Sequence, residues 1–421
     1  MIIKRHPEDF FVEELLSRET ASKISDEPGP CALYRLTKRS LGTDEAIERL
    51  AAKLRLSPGR IGYAGLKDKH ALTVQYVSVV FPQGGRENAP AFLETPGWKL
   101  ERIGWLADPI SIEDIDGNKF RVTARHLTRR QCGWIEEARE FLSVPSGRSK
   151  LLLFVNYYGD QRFGSARHGR GFAAHHLVKG DFEEALRLLI ATPDRKDSKK
   201  GKEAKRAIAA GWGAWKSIAK ALQPCPERRV VERLAETEGD FRRGFAGVPP
   251  FIRQMTIEAY QAWLWNEIAR RFVEHQCAAP FVRNSSQFGD LIFPEAASVW
   301  SAISSLVIPL LSPRTKLEEP WKAAAESVLA EEGIAMDELR VPGLRKPYFG
   351  EIPRALFAEA REFSLGPAEP DESVTDRRIF KRRLRFYLPR GSYATVLLRA
   401  LEGGAPLANP RDTREPGAPR G

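Results

Sequence analysis

Alternation of apolar and polar positions marks strands in the first part of the chain. Phe10 and Val12 open an extended run after Pro7, and Ala32–Leu36 reads as a short strand. Beyond His70, Val74, Tyr76, Ser78 and Val80 fall on one side and Gln75, Val77 and Val79 on the other. Both sets are largely apolar, which predicts a strand covered on both faces. Trp98–Trp105 reads as another strand. Phe120, Val122 and Ala124 give one face of the next, fed by a turn at Gly117-Asn118. One helix interrupts this run. Ile47, Leu50, Ala51 and Leu54 form its stripe, Thr43 is its expected cap, Asp44 and Glu45 fill its first turn, and Ser57-Pro58-Gly59 stops it. The Pro- and Gly-rich stretch 82–98 is expected to be a loop.

From about Ala166 to about Arg345 the period lengthens to that of helices. Phe182, Ala185, Leu186, Leu189 and Ile190 form one stripe, and Ile257, Tyr260, Leu264 and Ile268 another. Between them lies a basic cluster, Arg195 to Arg206, which fits either a solvated loop or an arm that contacts phosphate. Strand character returns at Leu384–Leu388, followed by a turn at Pro389-Arg390-Gly391-Ser392 and then a strand or helix start. Residues 403–421 are rich in Gly, Pro and Arg and are expected to be disordered.

Length and charge narrow the class. A chain of 421 residues suggests two or three domains. With 66 Lys and Arg against 55 acids, the net charge of +11 favours a polyanionic partner, RNA or DNA ahead of an anionic membrane. Cys31, Cys132, Cys225 and Cys277 are far apart, so neither a disulfide framework nor a zinc site is indicated. The first residues, MIIKRHPEDF, lack a signal-peptide core, and no run of 18 apolar residues occurs. A cytoplasmic enzyme fits these features.

Candidate chemistry concentrates before the doubly covered strand. In Ile61–Val80, Gly62 and Gly65 bracket Tyr63-Ala64, and Lys67 and Lys69 flank Asp68. The two lysines are expected to lie close to Asp68 and favour its charge. A solvated loop carboxylate and a catalytic one both fit this spacing. In Asn156–Gly164, aromatics, amides and Arg162 crowd a glycine-punctuated turn. This is a set that can stack on and read single-stranded RNA, or simply fold as a turn over core aromatics.

Taken together, five motifs resemble the TruD family of pseudouridine synthases, in the family's order. They are Pro7-Glu8-Asp9-Phe10 with Val12 and Glu14; Tyr63-Ala64-Gly65-x-Lys67-Asp68-Lys69 with Thr73 and Gln75; Gly117-Asn118-x-Phe120; Asn156–Gly164; and Phe386-x-Leu388-Pro389-x-Gly391-Ser392-Tyr393-Ala394-Thr395. Ala259–Asn266 resembles a further family stretch. The resemblance implies an α+β pseudouridine-synthase fold with a mixed, mainly antiparallel sheet. It places the catalytic domain at 1–165 and 346–402, with a mostly helical TRUD insertion domain at 166–345. It implies Asp68 as the catalytic carboxylate, Lys4 approaching it, Phe120 stacking on the target base and Asn118 supporting the pocket. Asn156 and Arg162 are taken as substrate-binding. The implied activity is isomerisation of a uridine in RNA, uridine 13 of tRNA above all, by a monomer that uses no cofactor and no metal and binds no membrane. Two other classes remain in view. One is a catalytically silent RNA-binding or chaperone protein on the same fold, against which the joint presence of Lys4, Asp68 and Phe120 argues. The other is a metal-dependent nuclease, for which no ligand-spaced acidic or histidine cluster exists.

Overall fold

The computed structural model describes residues 1–82, 89–146, 149–164, 170–194, 197–276, 280–286 and 288–403. The expected tail therefore lies, from 404 on, outside the described residues, as do Arg195 and Lys196 of the basic cluster. The chain forms two compact units. The first comprises Met1–Phe154, Glu295–Trp300 and 358–403, and the second Val155–Pro294 and Ser301–Phe357.

The strands, in chain order, begin with β1 (Phe10–Leu16), β2 (Cys31–Arg39), β3 (Ile61–Tyr63), β4 (Leu72–Val80), β5 (Phe92–Thr95) and β6 (Trp98–Leu106). β7 (Ile115–Leu127), β8 (Ser143–Ser146) and β9 (Ser149–Val155) follow. The second unit contributes β10 (Phe281–Ser286), β11 (Gly289–Pro294), β12 (Val307–Leu310) and β13 (Ile352–Ala355). The last three are β14 (Phe357–Leu365), β15 (Glu369–Pro370) and β16 (Phe380–Pro389). A twelve-stranded sheet has the order β5-β6-β2-β4-β1-β7-β16-β14-β9-β8, with β3 added to β4 and β15 to β16. β1 and β4 run parallel, while β2–β4, β2–β6, β1–β7 and β7–β16 are antiparallel. This is the mixed, mainly antiparallel sheet that the family resemblance implies.

β4 sits inside this sheet with both faces covered, as its two apolar sets predict. The helix Thr43–Leu54 buries Ala46, Ile47, Leu50 and Ala51 against Ala32, Tyr34, Leu36, Val77 and Val79. Burial of such a stripe, at about 25 cal/mol per Å2, is the main force fixing the helix on the sheet. The second unit is mostly helical. Its spine is the 27-residue helix Pro250–Gln276, in which Ile257, Tyr260, Leu264 and Ile268 are fully buried. The stripe at Phe182–Leu186 continues into a π-helical turn, Arg187–Ala191.

Three local expectations are corrected. The stretch 82–98 is not all loop, because β5 pairs with β6 inside it. Gly117 and Asn118 do not turn the chain; they lie within β7, opposite Leu15 and Glu14 on one side and Pro389 and Leu388 on the other. Glycine is needed at 117 because a Cβ there would stand 2.3 Å from the Leu388 carbonyl oxygen and 2.6 Å from the Tyr387 hydroxyl. Thr43 is not the helix cap, which is Gly42; its hydroxyl is engaged elsewhere. Of the strand or helix start expected after the 389–392 turn, the chain takes the helix, Ala394–Glu402.

Candidate active site

Strand register determines which side chains share the face that the helix Thr43–Leu54 covers. Lys38 stands opposite Thr73, Thr73 opposite Val12, Val12 opposite Phe120 and Phe120 opposite Phe386. In the next row, Leu36 is opposite Gln75, Glu14 opposite Asn118 and Asn118 opposite Leu388. Lys38, Thr73, Gln75 and Glu14 are all at most 1% exposed. Four buried polar groups in the middle of an apolar face are costly unless hydrogen-bonded; Lys38 and Gln75 are spent on the backbone of one stretch and Glu14 on a lysine side chain of the same stretch.

That stretch is the 64–71 segment between β3 and β4. The Thr43 hydroxyl accepts from Lys67 N at 2.9 Å and donates to Gln75 Oε1 at 3.0 Å. Gln75 Nε2 donates to the Gly65 carbonyl at 3.5 Å. Lys38 Nζ donates to the carbonyls of Leu41, Lys67 and Asp68 at 2.7, 3.4 and 3.3 Å. Lys67 Nζ lies 2.5 Å from Glu14 Oε1, and Glu14 Oε2 accepts from Tyr76 N at 2.9 Å. The segment is thus tied down from β1, β2, β4 and the first turn of a helix.

Asp68 projects from this anchored segment with its side chain 34% exposed. Its Oδ1 lies 3.1 Å from Lys4 Nζ, and that ammonium sits 4.3 Å from the centre of the Phe10 ring. The expectation that Lys67 and Lys69 attend Asp68 is corrected, because Lys67 pairs with Glu14 and Lys69 with Glu45. The cation at Asp68 comes instead from 64 residues upstream, across the sheet. Phe10 packs edge-on against Phe120, which stacks on Phe386 with ring centres 5.2 Å apart. Phe120 is 8% exposed. Asn118, two positions away on the same face, has a buried Oδ1 without a hydrogen-bond partner among the described residues.

Lys4, Asp68, Asn118 and Phe120 therefore belong to the first unit. Asn156 and Arg162 belong to the second. Asn156 Nδ2 donates to the Ala355 carbonyl, and Arg354 donates to both the carbonyl and the side-chain oxygen of Asn156. Arg162 pairs with Glu258 at 2.8 Å. Asn266 brackets Tyr158, accepting from its N–H at 2.8 Å and donating to its carbonyl at 3.0 Å. In the basic cluster, Ser198 caps the helix Lys199–Ala210; Lys199 and Lys200 are exposed, while Lys205 is buried against Asp197.

Sequence reasoning missed Lys38 and misread Thr43. The signal for Lys38 was present: it continues the parity of Ala32, Tyr34 and Leu36, so it falls on a buried face. Among the described residues no group of three or more His, Cys, Asp or Glu could hold a metal ion, and no helix is long and apolar enough to cross a membrane.

The fold resembles a solved structure assigned to tRNA pseudouridine synthase D (TruD) of Methanosarcina mazei, with TM-score 0.66 and 23% identity, covering 95% of this chain and 93% of that one. A pseudouridine-synthase fold is the class this defines. The family profile described as "tRNA pseudouridine synthase D (TruD)" matches residues 1–401. The Aquifex aeolicus protein named "tRNA pseudouridine synthase D" is 29% identical over 410 residues, covering 95% of this chain and 97% of its own length. The Methanopyrus kandleri protein named "Probable tRNA pseudouridine synthase D" is 31% identical over 390 residues, covering 89% and 86%. The chain belongs to the TruD family of tRNA pseudouridine synthases and is an enzyme of the isomerase class.

Proposed function

We propose that this enzyme converts uridine 13 of tRNA to pseudouridine, with Asp68 as its catalytic carboxylate. The observation that carries the reading is the Lys4–Asp68 pair, held on an anchored segment above a buried polar floor. The reaction breaks the N1–C1′ bond, turns the uracil and rejoins it through C5. A carboxylate serves by attacking C1′ or by taking the C2′ proton. Either role needs one oxygen fixed and one free. Oδ1 of Asp68 faces Lys4, while Oδ2 has no partner among the described residues. The base must leave its stack to be reached. Phe120 supplies a ring for it, and Asn118 an unsatisfied acceptor two residues away. One C–N bond is exchanged for one C–C bond with no net redox change, so the balance calls for no cofactor.

The second unit is taken as the inserted TRUD domain. Asn156 and Arg162 serve substrate binding from there, Asn156 by tying the start of its motif to Arg354 and Ala355 and Arg162 through its partly exposed guanidinium. The enzyme acts as a cytoplasmic monomer. The test is incubation of the purified protein with unmodified tRNA transcripts in chelator, followed by mapping of pseudouridine. Modification at position 13 supports the reading; modification elsewhere in tRNA moves the target, and none at all with tight binding points to a silent RNA-binding protein.

A further inference from the structure

β2 carries a lysine where its pattern calls for a hydrophobe. Ala32, Tyr34, Leu36 and Lys38 alternate along one face, and Lys38 is 1% exposed. Its ammonium has no carboxylate within ion-pair distance among the described residues and is met by backbone carbonyls alone: Leu41 in the turn after β2, then Lys67 and Asp68. Burying an ammonium without a counter-ion is unfavourable, and a methionine or leucine there is expected to be cheaper. What the charge does in return is join two loops roughly 30 residues apart in sequence, and one of the two peptides it holds carries Asp68.

We propose that Lys38 is a positioning residue, whose ammonium fixes the backbone on which the Asp68 carboxylate is aimed and on which turnover depends. This rests on the reading of Asp68 as the catalytic carboxylate. The ammonium bonds the Asp68 carbonyl and makes no ion pair with its carboxylate among the described residues, so its effect is on geometry rather than on substrate.

The proposal has a signature that mere packing lacks. Burial pushes the Lys38 ammonium down from 10.5 to about 8; Lys67 pushes the same way, while Asp68 and Glu14 oppose it. The native value lies below that of the unfolded chain. Between about pH 8 and 10.5 the unfolded chain keeps a proton that the native protein has released, so this group's contribution to stability rises with pH across that window. The grip on the carbonyls weakens over the same window, because a neutral amine is a poorer donor. The contributions of Lys38 to rate and to stability therefore move in opposite directions above pH 8.

The experiment measures single-turnover rate on a tRNA transcript from pH 6.5 to 10, with tRNA affinity and melting temperature, for wild type, Lys38→Met and Asp68→Asn. Wild type should lose rate above about pH 8, by no more than about tenfold per pH unit, and level off near the Lys38→Met rate. Lys38→Met should be slower by about tenfold or more at neutral pH, with affinity within about twofold and the alkaline limb gone, because the group that titrates is absent. Uracil also ionises in alkali, but a limb of that origin persists in Lys38→Met. Inactive Asp68→Asn beside a Lys38→Met protein that keeps wild-type rate and limb overturns the role of Lys38 alone. Turnover by Asp68→Asn overturns both readings. If Lys38→Met does not fold, the wild type decides: a rate that stays level to pH 10 overturns the proposal.

Discussion

Phe120 is a packing residue to which the proposed function also gives a part in the chemistry. Its ring stacks on Phe386 and meets Phe10 edge-on, so it is part of the sheet's covered face as well as the ring proposed to stack on the base. Truncation to alanine mixes the two, since Phe→Ala in a core costs about 3–5 kcal/mol. Phe120→Leu separates them. A near volume-conserving exchange should cost less than about 1.5 kcal/mol of stability. Loss of base stacking, worth about 1–3 kcal/mol, should slow single turnover by roughly 5- to 150-fold. A Phe120→Leu protein with the wild-type rate assigns the ring to packing alone.

Among elements, the join between the start of β1, β7 and the segment before β16 carries a buried charge cluster. Arg125 on β7 is buried and bonds Asp9 at 2.9 Å, Asp371 at 2.8 Å and Glu372 at 3.2 Å. Burial raises the Asp371 carboxyl, but hydrogen bonds from Ser373, the His126 N–H and Arg125 outweigh it and hold the group well below the usual carboxylate range. A lowered native value gives stability that is present above the unfolded value, near 3.9, and is lost as pH falls towards the native one. Arg125→Met leaves buried carboxylates unpaired and should cost about 3–5 kcal/mol at neutral pH. In urea titrations the gap from wild type should narrow as pH drops from about 5 to 2. A gap that is constant over that range contradicts the ion-pair account. Little of this join was readable beforehand. Asp9 was visible only as a motif letter, because partners 116 and 246 residues apart leave no local spacing. What alternation could show, it showed: the strands at 72–80, 98–106 and 115–127 carry period-two patterns that need no partner to be recognised. Gly117-Asn118 failed as a turn because the same dipeptide that favours turns also lets a neighbouring strand come close.

At the scale of the whole molecule, excess positive charge is the property that the fold distributes. Lys199, Lys200 and Lys202 occupy the first turn of their helix, where the dipole favours anions. Replacing all three with glutamate should therefore leave the second unit folded or slightly more stable. If these side chains meet RNA phosphate, affinity for tRNA should fall and the slope of log K against log salt should flatten by roughly two to three. Unchanged affinity and slope make the cluster a solvated helix start. The order of motifs told which family the chain resembles, but it could not show that Asp68 is served by Lys4 while its own neighbours are engaged with Glu14 and Glu45. That exchange of partners depends on the sheet bringing the N-terminal segment to the 64–71 segment.

The central claim is that the carboxylate of Asp68 performs the isomerisation, and Asp68→Asn addresses it most directly. Asparagine is nearly isosteric, so the hydrogen bonds to the Lys67 and Asp68 backbone should survive. The amide is neither a useful nucleophile nor a base. Removing one negative charge should leave tRNA affinity unchanged or slightly higher. The measurement is single-turnover pseudouridine formation by purified Asp68→Asn, alongside a tRNA binding titration and a thermal melt. We expect no detectable product with wild-type-like affinity and melting temperature. Turnover within about tenfold of wild type would contradict the assignment and leave the fold without this mechanism.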